Sequence, residues 1–217
     1  MIFRGGFDRQ DSYLLLQGYQ GGYRWQGHMQ AANCIVRFAQ AGHVFLIQNT
    51  TRHSHYDKNG LFISDGYNTS PIPPIAEWRA VDDFAHIGLS ATRLSDYHKT
   101  DWTRHVFWSK EADEFYVVID SVEIKTSSTY ALTCTWRTLA YAKLNGRQWH
   151  SDQGDHRFTL IASADLPMIS EEEDDQGAAI PYVLRQNQAG AYRAGQHISF
   201  QNLFHVQQLD SLETLDL

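Results

Sequence analysis

Two cysteines, Cys34 and Cys134, occur among the 217 residues. That is too few for a disulfide framework. Cys34 shares an alternating face with Ala32, Val36 and Phe38, and Cys134 shares one with Tyr130, Leu132 and Trp136. Both read as core thiols, a common place for free cysteine, and a bond between them stays open at this level. Long apolar runs are missing. None approaches the ~20 residues that a membrane helix needs, so no membrane span is expected. The opening MIFRGGFDRQ has no extended apolar stretch and does not read as a signal peptide. Basic residues are in the minority: 18 Lys and Arg against 25 Asp and Glu, a net charge of −7. A nucleic-acid partner is therefore not expected, because phosphate binding needs a basic surface. The same balance opposes general attraction to an anionic glycan, which would need a local basic groove. No amphipathic helical pattern exceeds two turns, and no internal repeat or low-complexity tract occurs. No Ser-His-Asp, Cys-His or phosphate-loop arrangement is visible.

What the chain does hold is aromatic and strand-like. Aromatics make up 13%, with six Trp and eleven Tyr, and hydrophobic residues 42%. Such a composition suits strands and also suits surfaces on which a sugar can stack. A chain of this length can bury roughly 70% of the surface it would expose unfolded. Strands are predicted at 13–18, 33–39, 43–49, 60–66, 87–94, 103–110 and 114–123, and then at 128–139, 156–163, 180–186 and 197–206. Asn145-Gly146 inside AKLNGRQW marks a hairpin, since both central residues of a type I′ turn need positive φ. NTSPIPPI (68–75) reads as an extended surface connection. EEEDD (171–175) reads as a solvated loop; it lacks the spaced ligands of a calcium loop. The expected fold is all-β, a large antiparallel β-sandwich of about a dozen strands, over residues 1–208, with 209–217 as a tail.

Several stretches, in order, resemble one family. They are FRGGFDRQDSYLLLQG (3–18), GGYRWQGHMQAANCIVRF (21–38), HVFLIQNTTR (43–52), KNGLFISDG (58–66) and DYHKTDWTRHVFWSKEADEFYVVIDSVE (96–123). Together they resemble the C-terminal β-sandwich domain of heparinase II/III-like polysaccharide lyases. The resemblance implies a secreted or periplasmic parent whose N-terminal helical toroid precedes this domain. It implies binding, and β-eliminative cleavage, of an acidic uronic-acid polysaccharide of the glycosaminoglycan type. Elimination needs a group to neutralise the uronate, a base for the α-proton and an acid for the leaving oxygen. Several of these come from the helical part of such proteins, so this stretch alone is expected to be inactive. The alternative is a carbohydrate-binding or structural module without catalysis.

The family's Gly-rich segment carries G-H-x-H-x-D, its first His catalytic and its second a zinc ligand. Laid on that pattern, His28 takes the first position and Gln30 the second. Gln48 and Lys58 stand at the remaining two ligand positions. Zinc takes imidazole, thiolate and carboxylate, so no metal and no other cofactor is expected there. A displaced set, His53 and His55 with Asp57 or His28, is the runner-up, because i and i+2 share a strand face. His28 is the candidate acid or base, against a packing, surface or partner-contact role. Tyr23, Arg24 and Trp25 are candidates for a glycan platform, with Arg pairing the carboxylate, against packing on the sandwich. Arg52 is a further carboxylate partner, against an ordinary surface charge. Trp102, Arg104 and Trp108 share one register and read as structural, with Arg104 bridging a carboxylate. Asp120 reads as a turn or pairing residue.

Overall fold

The computed structural model describes residues 1–17, 32–48, 58–66, 76–163, 165–173 and 180–211, the backbone alone for 76–83. In chain order the strands are β1 (Ile2–Arg4), β2 (Tyr13–Gln17), β3 (Cys34–Gln40), β4 (His43–Ile47), β5 (Gly60–Ser64), β6 (Ala76–Asp83), β7 (Ile87–Tyr97) and β8 (Thr100–Ser109). They continue with β9 (Phe115–Ile124), β10 (Ser128–Thr138), β11 (Ala142–Asn145), β12 (Gln148–Gln153), β13 (His156–Ala162), β14 (Met168–Glu172), β15 (Tyr182–Tyr192) and β16 (His197–Gln208). A single 3-10 turn, Leu209–Ser211, follows. No described helix is long and apolar enough to cross a membrane.

The strands form three antiparallel sheets in a sandwich-like arrangement. One sheet of eight runs β11-β12-β13-β16-β9-β8-β7-β6, and two sheets of four run β1-β2-β3-β4 and β14-β15-β10-β5. Period-2 burial explains the layering. In β9 every second residue is buried, from Tyr116 to Ile124. Trp102, Arg104, Val106 and Trp108 do the same in β8. That face of the large sheet is covered by both small ones. Phe38 of β3 packs on Tyr116, Phe158 and Phe204, with ring centroids 5.2, 5.7 and 5.8 Å away. Trp136 of β10 meets Phe204 edge-on at 5.0 Å. Aromatic contacts of this kind add to the area they bury.

The hairpins expected from the sequence form. The Asn145-Gly146 hairpin is among them, but Asn145 ends β11 and pairs with Gln148, so the central residues are Gly146 and Arg147. Of these Gly146 alone has positive φ, +56°; the expected type I′ pair of positive angles is not what closes it. Strands β8 and β9 pair along their whole length. The described residues hold sixteen strands against the expected dozen. The additions β1 and β14 are short, and β6 follows the proline-rich stretch, so none offers a long alternating run. Strand β15 extends to Tyr192 through QNQAGAY, a polar stretch held by full pairing with β10. The acidic run is corrected more sharply. Glu171 and Glu172 belong to β14. Arg185 pairs with Glu171 and Glu173, and the buried Arg137 donates to Glu173 at 2.9 Å. Glu171 and Glu172 stay exposed as expected, Glu173 is largely covered by its two arginines, one of them 36 residues away, and Asp174 and Asp175 lie outside the described residues. The proline-rich 68–75 and the tail beyond Ser211 lie outside the described residues.

Burial pushes the pKa of His98, His150 and His205 below the ordinary histidine value. Folded, these rings stay neutral where the unfolded chain takes up protons, so stability falls as pH drops below about 6.5. The melting temperature is expected to hold level from about pH 8 to 7 and to decline towards about pH 5.5; a rise on acidification would contradict this. Phe38→Ala should cost about 3–5 kcal/mol in urea unfolding, because it empties the centre of the aromatic cluster. A cost below about 1 kcal/mol would mean the sheets do not meet there.

Candidate functional site

Every site residue named from the sequence falls on two stretches outside the described residues. His28, Tyr23, Arg24 and Trp25 lie in 18–31, and Arg52, His53, His55 and Asp57 in 49–57. The residues flanking those stretches are described, and they converge. Asn33 N–H donates to the Gln17 carbonyl at 2.7 Å, which closes the ends of the first stretch. Gln48 N–H donates to Val36 at 3.1 Å, and Ile35 N–H donates to Asn59 at 2.9 Å, so both ends of the second stretch also rest on β3. The described residues on either side of both stretches, Gln17, Asn33, Gln48 and Asn59, are therefore all bonded near the start of β3. Gln48 and Lys58, at two of the family's ligand positions, are both buried there.

Beneath this point lies a fully buried polar cluster. Arg104 and Asp120 face each other across β8 and β9. The guanidinium donates from Nε to Oδ1 at 2.7 Å and from Nη2 to Oδ2 at 2.9 Å. This is the bidentate geometry that makes such pairs strong. Trp102 Nε1 donates to the same carboxylate at 2.7 Å. Arg104 Nη1 reaches across the layers to the Asn33 carbonyl at 2.9 Å and the Asn59 carbonyl at 3.1 Å. Asn33 Oδ1 accepts from Thr92, and Asn59 Oδ1 accepts from Arg137 N–H at 2.7 Å. Asn33 itself has φ +65°, a conformation asparagine tolerates better than most residues. Gly60 follows, and a Cβ there would come within 2.5 Å of Cys34 Sγ and 3.1 Å of Trp102. The chain can pass only without a side chain at that point.

The sequence reading of Trp102, Arg104 and Trp108 as structural holds, as does the carboxylate partner for Arg104. Asp120 pairs in mid-strand with its side chain in the core, so it is no turn residue. Both cysteines are free and buried in this cluster. Burial pushes the Cys34 thiol up to about 12 and raises Cys134 as well, with Asp120 adding to the second. Neither is a thiolate nucleophile at neutral pH. Tyr97, at the end of β7, is buried, and burial raises its hydroxyl pKa. It does not face solvent.

Sequence reasoning missed two open clefts beside β1 and β2. One is lined by Arg4, Arg9 and Arg37 with Asp8 and Asp11. The next centres on Glu114, which accepts from Ser12 Oγ and Trp108 Nε1 at 2.5 Å and from Gln40 Nε2 at 3.0 Å. Arg4 ends β1, Arg9 lies in the turn after it and Arg37 is on the exposed side of β3. Their spacing of five and 28 residues gave no local signal.

No protein-family model matches the chain, and no curated protein matches its sequence. Its fold does match solved structures. The heparan sulfate lyase HepC of Pedobacter heparinus superposes with a TM-score of 0.76 at 13% identity, over 95% of this chain and 35% of the lyase. The fold is one that a heparan sulfate lyase carries. The chain spans about a third of that enzyme. Slr1438 of Synechocystis sp. PCC 6803 superposes at 0.59 with 8% identity over 96% of both chains. An aldose 1-epimerase-like protein of Escherichia coli K12 superposes at 0.53 with 10% identity over 96% of this chain and 99% of that one. At these identities the likeness is one of fold.

Removing one member of a buried charge pair leaves the other uncompensated, at a cost of about 3–5 kcal/mol. Arg104→Met and Asp120→Asn are each expected to lose that much in urea unfolding. Combining Arg104→Met with Asp120→Asn should cost clearly less than the sum of the two single changes. Additive losses would show that the pair is not coupled.

Proposed function

We propose that this chain is a β-sandwich unit that binds an acidic, uronic-acid-bearing polysaccharide of the glycosaminoglycan type. In a longer parent, with a helical toroid ahead of it, the unit contributes to β-eliminative cleavage that it does not perform alone. The observation that carries this reading is the superposition on a heparan sulfate lyase over 95% of the chain. The meeting of the residues that flank 18–31 and 49–57 near the start of β3 supports it further. Those two stretches hold His28, Tyr23, Arg24, Trp25 and Arg52, and their flanking residues are tied within hydrogen-bonding distance of one strand.

The roles follow from the chemistry. Arg24 and Arg52 pair with uronate carboxylates, which lowers the charge that opposes loss of the α-proton. Tyr23 and Trp25 offer faces on which a sugar ring lies. His28 is the group proposed to move a proton, a role that imidazole commonly fills. The net charge of −7 is compatible only with a localised basic patch. A second reading, a binding module without catalysis, draws on the fold standing alone: it makes up almost the whole of Slr1438 and of the aldose 1-epimerase-like protein, with no helical domain required beside it.

Calorimetry of the chain with heparan sulfate, hyaluronan and neutral oligosaccharides tests the binding. Affinity is expected for the acidic set, and Trp25→Ala should weaken it by about 2 kcal/mol, roughly 30-fold in Kd. Binding to neutral glycans alone would sink the proposal. If Arg9→Ala and Arg37→Ala remove binding while Trp25→Ala does not, the ligand sits in the β1–β2 cleft instead of on the platform. In the full-length parent, His28→Ala should slow formation of the unsaturated uronate roughly 100- to 10,000-fold. Unchanged turnover removes His28 from the chemistry.

A further inference from the structure

We propose that His43, Asp155 and His156 bind one divalent transition-metal ion, zinc by preference, which clips a small sheet to the large one. His43 opens β4, the edge strand of its sheet. Asp155 lies in the tight turn between β12 and β13, and His156 opens β13 of the eight-stranded sheet. Some 112 residues of sequence separate the two parts, so no local motif announces them. One ligand atom from each residue lies within 4.8 Å of the other two. His43 Nε2 stands 3.8 Å from Asp155 Oδ1, and His156 Nδ1 stands 2.8 Å from the same oxygen.

The surroundings hold this geometry in place. Gln153 Nε2 donates to the Val44 carbonyl at 2.8 Å, tying the turn directly to β4. Leu209 N–H donates to the Asp155 carbonyl at 2.8 Å, tying it to the chain after β16. Position 154 is glycine with φ +60°, and a Cβ there would stand 2.8 Å from His43 Cε1 and 3.0 Å from Nε2. The imidazole of His43 thus lies over the bare turn. The rings of His43 and His156 sit 5.6 Å apart at 45°, so they do not stack face to face. His43 and His156 are half-buried and Asp155 is open to solvent, which leaves an approach for an ion.

Two imidazoles and one carboxylate are the donor set that zinc takes with a fourth position left to water. Zinc bonds of 2.0–2.1 Å place ligand atoms roughly 3.3 Å apart in a tetrahedron. The present separations bracket that value, and small side-chain rotations reach it. Calcium and magnesium prefer all-oxygen sets and fit poorly. The site is separate from the positions of Gln48 and Lys58, because five residues of extended strand put His43 roughly 16 Å from Gln48.

The test uses the chelator-treated chain. Calorimetry with Zn²⁺ should give one equivalent per chain, and the melting temperature should rise with zinc concentration. Co²⁺ should give visible bands of a low-coordinate N/O site without thiolate charge transfer. His43→Gln, Asp155→Asn and His156→Gln should each remove the single-equivalent binding while keeping the unaltered far-UV spectrum in chelator. Because the residues lie on separate elements, a misfolded His43 variant leaves the Asp155 and His156 variants to decide. A His53→Gln/His55→Gln chain should bind as before. Absence of zinc binding, binding that survives the three variants, or loss in the His53/His55 chain would each overturn the proposal. None of these outcomes depends on whether the chain binds a glycan.

Discussion

The Arg104–Asp120 pair is the constraint on which the rest of the structure depends. A cross-strand salt bridge joins two neighbours of the large sheet, and its remaining donor reaches out of that sheet to two carbonyls. One belongs to the lead-in to β3 and the other to the lead-in to β5. Those strands belong to different small sheets. One guanidinium therefore touches all three sheets at once. Charge in such a place costs heavily to desolvate unless every donor is met. Here Asp120, Trp102 and the two carbonyls meet the guanidinium and carboxylate, and Trp102 and Trp136 flank the cation at 5.1 and 5.4 Å. Apolar packing could hold three layers together with more tolerance. A directional polar cluster also fixes where their corners lie.

That placement explains why the stretches of most interest begin and end where they do. The carbonyls that Arg104 holds belong to Asn33 and Asn59, the residues just past 18–31 and 49–57. The scaffold thus presents two long connections at one corner, and loops mounted on a rigid frame are where binding residues concentrate. The comparisons are consistent with a fold that hosts more than one activity: it occupies a third of a heparan sulfate lyase and nearly the whole of an aldose 1-epimerase-like protein. Function on such a frame resides in its loops and clefts.

Much of the frame was legible in the sequence because strands announce themselves by alternation. WTRHVFW and YVVIDSV each put their large or charged residues on one face, and the structure buries those faces. Asn145-Gly146 marked a hairpin in the right place, though the turn is centred one residue further on and only Gly146 takes positive φ. What stayed hidden was partnership. Glu173 looks solvated until Arg137 and Arg185 are placed beside it. Asp120 looks like a strand end until Arg104 stands opposite. QNQAGAY has no strand signature, and only pairing with β10 makes it one. The three arginines of the cleft, and His43 with Asp155 and His156, are brought together by topology, which local pattern does not encode. The family's motif could be laid on His28 from sequence, yet the resemblance could not reveal that its neighbours Gln48 and Lys58 would be buried.

The two thiols have a consequence for where such a chain can persist. Each is sealed in the core next to the charge cluster, with its proton held more tightly than in solution. Oxidants act through the thiolate and through access, and both routes are closed. An oxidising milieu and a reducing one would meet the same molecule. The frame can be carried between compartments, or be joined to partners in either, without its redox chemistry being rewritten.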